Sequence, residues 1–338
     1  MLAYTCLNQD QRVQRCISAL QLDPENVYVV RPLGKLSFIN FFLRSMYLVL
    51  ADRDLEVVYC HDFYCAPQGI LAHVVGKKVV FDAHECVLDY PPSIGLAYLL
   101  LFYCQQIAIR RSNCVIFPSE IREKLHRRLK LRPDKSLVFG NLDSLNHVVL
   151  RRPAQSRLQK AARSVRIGYA GSIEGDRDLD KWLRLTAQIP QVISLEVIGG
   201  GSLLTRLQSQ YRENQNIRFF GPMPYEKMID QARTWTAGII TYNDRTLNTR
   251  FCVSNKPFDY TLAGCGIIAR SLPGLRAQLR GFSATLFYQN ELPNAEEIVR
   301  YCCTLESHQI EHNRRRVNQL AAKQDLFKHE LESVLHER

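Results

Sequence analysis

Short runs of β-branched and other apolar residues recur along the chain, separated by segments patterned like helices. The first half carries Val27–Val30, Val57–Cys60, Val79–Phe81, Val115–Phe117 and Leu137–Phe139. The second half carries Ile167–Ala170, Leu195–Ile198, Ile217–Phe219, Gly238–Thr241 and Ile267–Ala269. Runs that are continuously apolar, rather than alternating, belong to strands buried on both faces. Parallel sheets covered by helices on each side have this property. So many runs exceed one ordinary doubly wound sheet. The expected fold class is therefore α/β, with two Rossmann-like parallel-sheet domains.

The break between them falls between Asp143 and Arg166. Residues 150–163 are polar and basic, with Pro153 among them, which is a linker composition. The expected division is a first domain over 1–150, a second over 164–307, and a charged helix over 308–338 that packs back on the first. Ligands of such sheets sit beyond the carboxyl ends of the strands, so residues that directly follow the apolar runs are the candidates for chemistry.

Composition narrows the choices. A chain of 338 residues with 46% hydrophobic and 23% charged residues is an ordinary globular composition for two domains. A net charge of +11 suits anionic partners without choosing among them. No nucleic-acid recognition motif accompanies it, so no nucleic acid is expected. Eleven cysteines without a C-x-x-C pair fit reduced, buried thiols. Cys60, His61, Cys65, His73, His84 and Cys86 match no zinc spacing, and no metal is expected. Asp10, Arg12 and Arg15 interrupt the first twenty residues and argue against a secretory leader. The expected location is cytoplasmic. The apolar stretch Ile94–Ile109 is too short to span a bilayer and is read as a buried core helix. Contact with the inner face of a membrane stays open, because Arg110 and Arg111 flank it.

The segment Val253–Ala269 is the most informative. Ser254, Asn255 and Lys256 form a polar turn that opens a short helix carrying Asp259. Gly264 and Gly266 end the helix, and a buried strand follows. A helix N-terminus with a lysine and free N–H groups suits an anion. A carboxylate one turn later can accept hydrogen bonds from a ribose diol, so phosphate and ribose together indicate a nucleotide.

The string Ser254-Asn255-Lys256-Pro257-Phe258-Asp259-Tyr260, followed by Ala263-Gly264, resembles the donor-binding helix of retaining GT-B-fold glycosyltransferases similar to glycosyltransferase family 4. That resemblance implies two facing Rossmann-like domains with an interdomain cleft. It implies that Asp259 binds the donor ribose and that Ser254, Asn255 and Lys256 hold its diphosphate. Where the family has a first glutamate this chain has Phe251, and Asp259 is one methylene shorter than the second.

Other motifs follow strands. Asp82-Ala83-His84-Glu85 resembles a family string whose histidine meets the donor sugar, which casts His84 in the catalytic role. His61-Asp62 resembles an earlier family pair. His61, Asp62 and Glu85 are read as acceptor-side or structural. Gly171 at a strand end lets backbone N–H groups approach a pyrophosphate, and Arg177 lies where relatives place a basic residue on the phosphates. Ser172 stands where better-known members have arginine. Gly199-Gly200-Gly201 is a degraded G-x-G-x-x-G, with Leu204 at the last glycine, so a dehydrogenase is disfavoured. In relatives such a turn lines the nucleotide pocket, implicating Gly199 and Gly201. The Asp-x-Asp strings at Asp52, Asp176 and Asp178 are read as solvated charges.

The resemblance thus implies a metal-independent, retaining hexosyltransferase without a cofactor. It would move a sugar from a nucleotide-sugar donor to a hydroxyl of a glycan, lipid-linked or small-molecule acceptor, in surface polysaccharide biosynthesis. A sugar-nucleotide epimerase of the same fold and a non-catalytic partner subunit are the alternatives.

Overall fold

The computed structural model describes residues 1–4, 11–30, 35–85, 95–128, 135–140, 165–324 and 326–336. The linker read over 150–163 lies outside them. The chain divides into two compact units, Met1–Asp143 with Ala322–Arg338, and Ser144–Ala321.

In the first unit the described strands are β1 (Leu2–Tyr4), β2 (Tyr28–Val30), β3 (Val57–His61), β4 (Lys78–Asp82), β5 (Cys114–Phe117) and β6 (Ser136–Val138). The helices are α1 (Gln11–Leu20), α2 (Lys35–Ala51), α3 (Ala66–Val74), α4 (Leu96–Arg111) and α5 (Glu120–Arg128). All strands are parallel, in the order β2-β1-β3-β4-β5-β6. Side chains alternate across a strand, and both faces are filled. Val58, Cys60, Val79, Phe81, Val115 and Phe117 pack with Phe41 of α2, Ala72 of α3 and Ile109 of α4. Tyr59, Val80, Cys114 and Ile116 pack the opposite way, with Cys16 of α1.

The second unit contains β7 (Val165–Ala170), β8 (Ile193–Ile198), β9 (Ile217–Gly221), β10 (Ala237–Ile240), β11 (Gly266–Arg270) and β12 (Thr285–Tyr288). Its helices are α6 (Leu179–Gln188), α7 (Leu204–Gln210), α8 (Tyr225–Ala232), α9 (Leu247–Arg250), α10 (Lys256–Ala263), α11 (Pro273–Gln278), α12 (Ala295–Cys303) and α13 (Ser307–Gln324). These strands are also parallel, ordered β12-β11-β10-β7-β8-β9. Trp182, Leu183, Leu195, Val197, Ile239 and Ile268 are in its core. β12 was not among the apolar runs. It is an edge strand paired with β11 alone, and its first three residues are only half-buried.

The charged helix expected over 308–338 is two helices. Arg314 of α13 donates to the Thr261 and Leu262 carbonyls of the second unit. α14 (Phe327–His336) joins the first unit, where Phe327 stacks on Phe139 at 4.1 Å. Only the last segment returns to the first domain. The stretch Ile94–Ile109 is also not a buried core helix. α4 buries Gln105, Ala108 and Ile109 but exposes Leu96, Leu99, Leu100, Tyr103 and Ile107.

The central pair of the second sheet is built to come apart. β7 and β10 are registered only through Ile167 with Ala237 and Gly168 with Gly238. The Tyr260 hydroxyl of α10 enters beyond that point, accepting from Ala170 N–H at 3.0 Å and donating to the Ile239 carbonyl at 3.2 Å. Gly238 makes the approach possible, since a Cβ there would lie 2.3 Å from the Tyr260 ring. α10 is therefore docked by its tyrosine at the mouth of the sheet. Tyr260→Phe keeps the packed ring but leaves both backbone groups without their partner, and is expected to cost about 1–3 kcal/mol. An unchanged urea midpoint would show that the hydroxyl bridge contributes nothing.

Candidate active site

The strand order of the second sheet reverses at β7, with β8 and β9 on one side and β10 to β12 on the other. This is the topological switch point at which open parallel sheets take their ligands. Lys256 lies here. It is only 8% exposed. Its ammonium is 5.3 Å from the ring centres of both Tyr169 and Tyr242, and 3.5 Å from the Tyr242 hydroxyl. Among the described residues no carboxylate pairs with it. Burial works against the charge, yet the Tyr242 and Tyr169 hydroxyls outweigh it and hold the Lys256 pKa above the usual lysine value.

Arg177 supplies a second cation from the turn after β7. Its guanidinium lies 4.6 Å from the Tyr242 ring centre. Its Nε donates to Ser172 Oγ at 3.1 Å, and its Nη1 pairs with Asp176. The Asn243 N–H after β10 donates to the Asp176 carbonyl at 2.8 Å, tying the two strand ends together. Two cations against one carboxylate, in a largely desolvated corner, favour an anion. An unpaired buried charge costs several kcal/mol unless a ligand completes it.

The glycines set how closely the turns meet. Gly171 has φ +146°, and a Cβ there would lie 2.7 Å from Lys256 Nζ. Gly199 has φ +133°, and a Cβ there would stand 1.9 Å from the Gly171 carbonyl oxygen. Any side chain at either position would push the strand-end turns apart or displace the lysine. Beside Gly201, Glu174 accepts from Ser202 N–H at 2.9 Å and from the Ser202 hydroxyl, and these two bonds hold its carboxyl below the usual range. No backbone hydrogen bond of the described loops engages the N–H groups of Ser172, Gly200 or Gly201. These amides have no backbone partner among the described residues.

The start of α10 differs from the expectation of free N–H groups. Lys256 N–H donates to Ser254 Oγ at 3.3 Å, Pro257 has none, and the Phe258 and Asp259 N–H groups both reach the Asn255 carbonyl. The anion affinity of this corner therefore rests on side-chain cations and the glycine turns. Ser254 is committed to the fold: its hydroxyl oxygen lies 3.1 Å from Tyr242 Oη, and Gln278 bonds its N–H and C=O. Asn255 does not cap the helix with its side chain. Asp259 is half-buried and accepts the Tyr225 hydroxyl at 2.9 Å.

The first unit has its own cluster at the carboxyl ends of β3 and β4. Asp82 is fully buried and lies 3.3 Å from His61 Nδ1. It accepts from the Tyr59 hydroxyl at 3.1 Å and from the Cys16 thiol at 3.8 Å. A carboxylate at Nδ1 fixes the orientation of the ring. The His61 and His84 rings stack with centroids 6.0 Å apart. Asp62 has φ +62° and ψ 177°, a strained conformation for a residue with a side chain. Its N–H donates to the Asp82 carbonyl at 3.0 Å, and its Oδ1 accepts from Glu85 N–H at 3.2 Å. Burial first, then the nearby Glu85 charge, push its pKa up to about 7.

Thus Gly171, Arg177, Gly199, Gly201, Ser254 and Lys256 gather at the second unit's switch point, with Asp259 on the same helix as Lys256. His61, Asp62, His84 and Glu85 gather in the first unit. Sequence reasoning missed Tyr169, Tyr242 and the supporting Asp82. Tyr242 directly follows the run Gly238–Thr241 and was open to the strand-end rule. Tyr169 lies inside a run and carried no such signal.

No protein-family model and no curated protein sequence matches the chain. Solved structures do. HepE from Anabaena in complex with UDP is similar with a TM-score of 0.68 and 14% identity, over 91% of this chain and 86% of that one. Sucrose-phosphate synthase from Thermosynechococcus elongatus gives 0.68 and 16%, over 94% and 82%. Trehalose-6-phosphate synthase OtsA gives 0.62 and 12%, over 90% and 78%. The chain has the two-domain GT-B fold of these glycosyltransferase structures.

The Asp62 geometry gives a signed pH dependence. Its acid is raised from 3.8 to about 7 in the folded protein. The native state therefore holds the proton more tightly, and that stability is present below about pH 4 and lost as pH rises through about 7. Asp62→Asn should gain on wild type by roughly 2–4 kcal/mol between about pH 4 and pH 8. Urea midpoints at both ends provide the check; a constant difference would mean the charge is not buried.

Proposed function

We propose that the chain is a glycosyltransferase that uses a nucleotide-activated sugar and transfers it with retention to a hydroxyl acceptor. The observation that carries the reading is the buried Lys256 ammonium, which no carboxylate among the described residues pairs with, beside Arg177 and two glycine turns at a switch point. That corner fits a diphosphate, and Asp259 one turn into the same helix suits a ribose diol. Similar structures support the choice of ligand: HepE is bound to UDP in one and to UDP-glucose in another. Trehalose-6-phosphate synthase, a further neighbour, is described for glycosyltransfer with retention.

In this reading Lys256, Arg177 and the amides of the glycine turns stabilise the charge that builds on the leaving diphosphate. Stabilisation by such preorganised groups usually contributes most to the rate. Ser172 is compatible with it, because its hydroxyl positions Arg177 rather than replacing it. His84, a ring with donor and acceptor nitrogens, contacts the sugar. A donor phosphate oxygen takes the acceptor proton. The reaction needs no divalent metal in this proposal. Asp176 pairs with Arg177, Asp178 with Lys181 and Arg270, and Asp180 with Arg184, so these acids are occupied. Asp52 caps its own turn through the Asp54 and Leu55 N–H groups. The acceptor is a glycan, a lipid-linked sugar or a small molecule, in polysaccharide assembly.

A second reading has one observation in its favour. His61, Asp62, His84 and Glu85 form an acid–base cluster of the kind a sugar-nucleotide epimerase requires. Incubation with labelled UDP-sugars separates the two: transfer or hydrolysis supports the transferase, whereas an interconverted sugar overturns it.

Binding should depend on the second unit. Lys256→Met is expected to weaken UDP binding by about 1.5–3 kcal/mol, and Asp259→Ala by about 1–3 kcal/mol. Calorimetry on folded variants showing unchanged affinity would remove both from the site. Turnover should depend on His84. His84→Ala is expected to lower kcat and kcat/KM together by roughly tenfold or more. Free UDP lacks the sugar and should bind the variant and wild type alike; full activity in the variant would sink the role.

A further inference from the structure

The helices that cover one face of the first sheet present an apolar surface outward. α2, α3 and α4 bury Phe41, Val49, Ala66, Ala72, Ala108 and Ile109 against the strands. On the opposite side of α2, Leu36, Ile39, Leu43, Tyr47 and Leu50 are exposed, with Leu36 at 84% and Tyr47 at 69%. Their spacing of three and four residues makes a continuous stripe along a helix about 25 Å long. α4 does the same through Leu96, Leu99, Leu100, Tyr103 and Ile107. Val74, 73% exposed, ends α3 between them. Contiguous apolar surface of this extent marks an interaction site.

Charge selects the partner. Over Lys35–Ala51, Ala66–Val74 and Leu96–Arg111 the sequence contains no aspartate or glutamate. The charged residues there are Lys35, Arg44, Arg110 and Arg111, and the acids resume at Asp52, in the turn after α2. A second copy of the chain would bring the same cations to the contact and no acid to meet them. An anionic surface that is apolar beneath meets both demands. Tyrosine is suited to such a boundary, and arginine reaches outward from an apolar stem. No described helix is long and apolar enough to cross a membrane, so these helices would lie in the interface.

We propose that the α2–α3–α4 face of the first unit rests on an anionic lipid bilayer, with leucine and tyrosine side chains in the headgroup boundary and Arg44, Arg110 and Arg111 on the lipid phosphates. Binding combines apolar burial with electrostatic attraction. It is independent of how the second unit handles its ligand.

The test is co-sedimentation of the full chain with vesicles of phosphatidylcholine alone or with one quarter phosphatidylglycerol. Wild type should bind the anionic vesicles more tightly, and added salt should weaken that binding. Leu43→Glu/Tyr47→Glu and Leu99→Glu/Leu100→Glu alter exposed positions, and each should weaken binding at least tenfold without lowering the melting temperature. Arg110→Gln/Arg111→Gln, which leaves the apolar stripe intact, should weaken it about fivefold per arginine on anionic vesicles only. Three results would overturn the proposal: wild type that ignores anionic vesicles, acidic variants that bind as well as wild type, or a dimer in light scattering that the same variants dissociate while vesicles do not compete. Donor binding and turnover are not read in these assays, so failure here leaves the transferase reading standing.

Discussion

Everything at the Lys256 corner follows from β7 and β10 parting after two registered residues. Parallel strands stay together while their backbone groups have partners, and here the Tyr260 hydroxyl serves in place of the next pairing. The bridge fixes α10, and α10 fixes Lys256 against Tyr169 and Tyr242. It also brings Asp259 to the same edge. A glycine at 238 admits the tyrosine ring, and a glycine at 171 leaves room for the ammonium. Backbone separation, helix docking and cation placement are thus one construction. A change at any point propagates to the charge, because close-packed interiors transmit displacement rather than absorb it.

The two units use strand ends in different chemical ways. In the second, strand ends converge on cations and on amides without a backbone partner among the described residues, which suits a ligand carrying fixed negative charge. In the first, they converge on Asp82, a buried carboxylate reached by Tyr59, Cys16 and His61. That network orients a ring and strains the next residue, Asp62, rather than displaying charge. It resembles the support of a proton-handling group more than a phosphate site. The strained Asp62 backbone and its raised acid belong together, since one turn makes Asp62 both buried and a neighbour of Glu85.

Much of this was legible in the amino-acid string, for physical reasons. Strands buried on both sides read as unbroken apolar runs, so ten of the twelve described strands coincide with such runs. β12 escaped because an edge strand is only half-covered and shows a weaker run. Lys256 and Asp259 were legible through their helix start, yet the expected free N–H groups were not there. Pro257 and a tightened first turn consume them, a detail of backbone geometry that spacing alone does not reveal. Tyr242 and Asp82 act through contacts with residues far away in the chain. Their importance appears only when separate elements lie side by side, as β3 and β4 do around Asp82 and as the turn after β7 and the start of α10 do around Tyr242.

The reading of α4 as a core helix failed for an instructive reason. An apolar helix of 16 residues is indistinguishable by composition from one buried all round. What separates them is the pattern of charge on the neighbours. Around α6 and α12, acids and bases pair along the exposed turns, as in Arg184 with Asp180 and Arg300 with Glu296. That is how a solvated helix ordinarily presents itself to water. α2, α3 and α4 have no acids with which to make such pairs. One fold has thus been dressed with two kinds of outer surface, one finished for water and one left apolar and cationic. The asymmetry lies wholly on helix faces that the sheets do not need, so packing within the unit does not demand it.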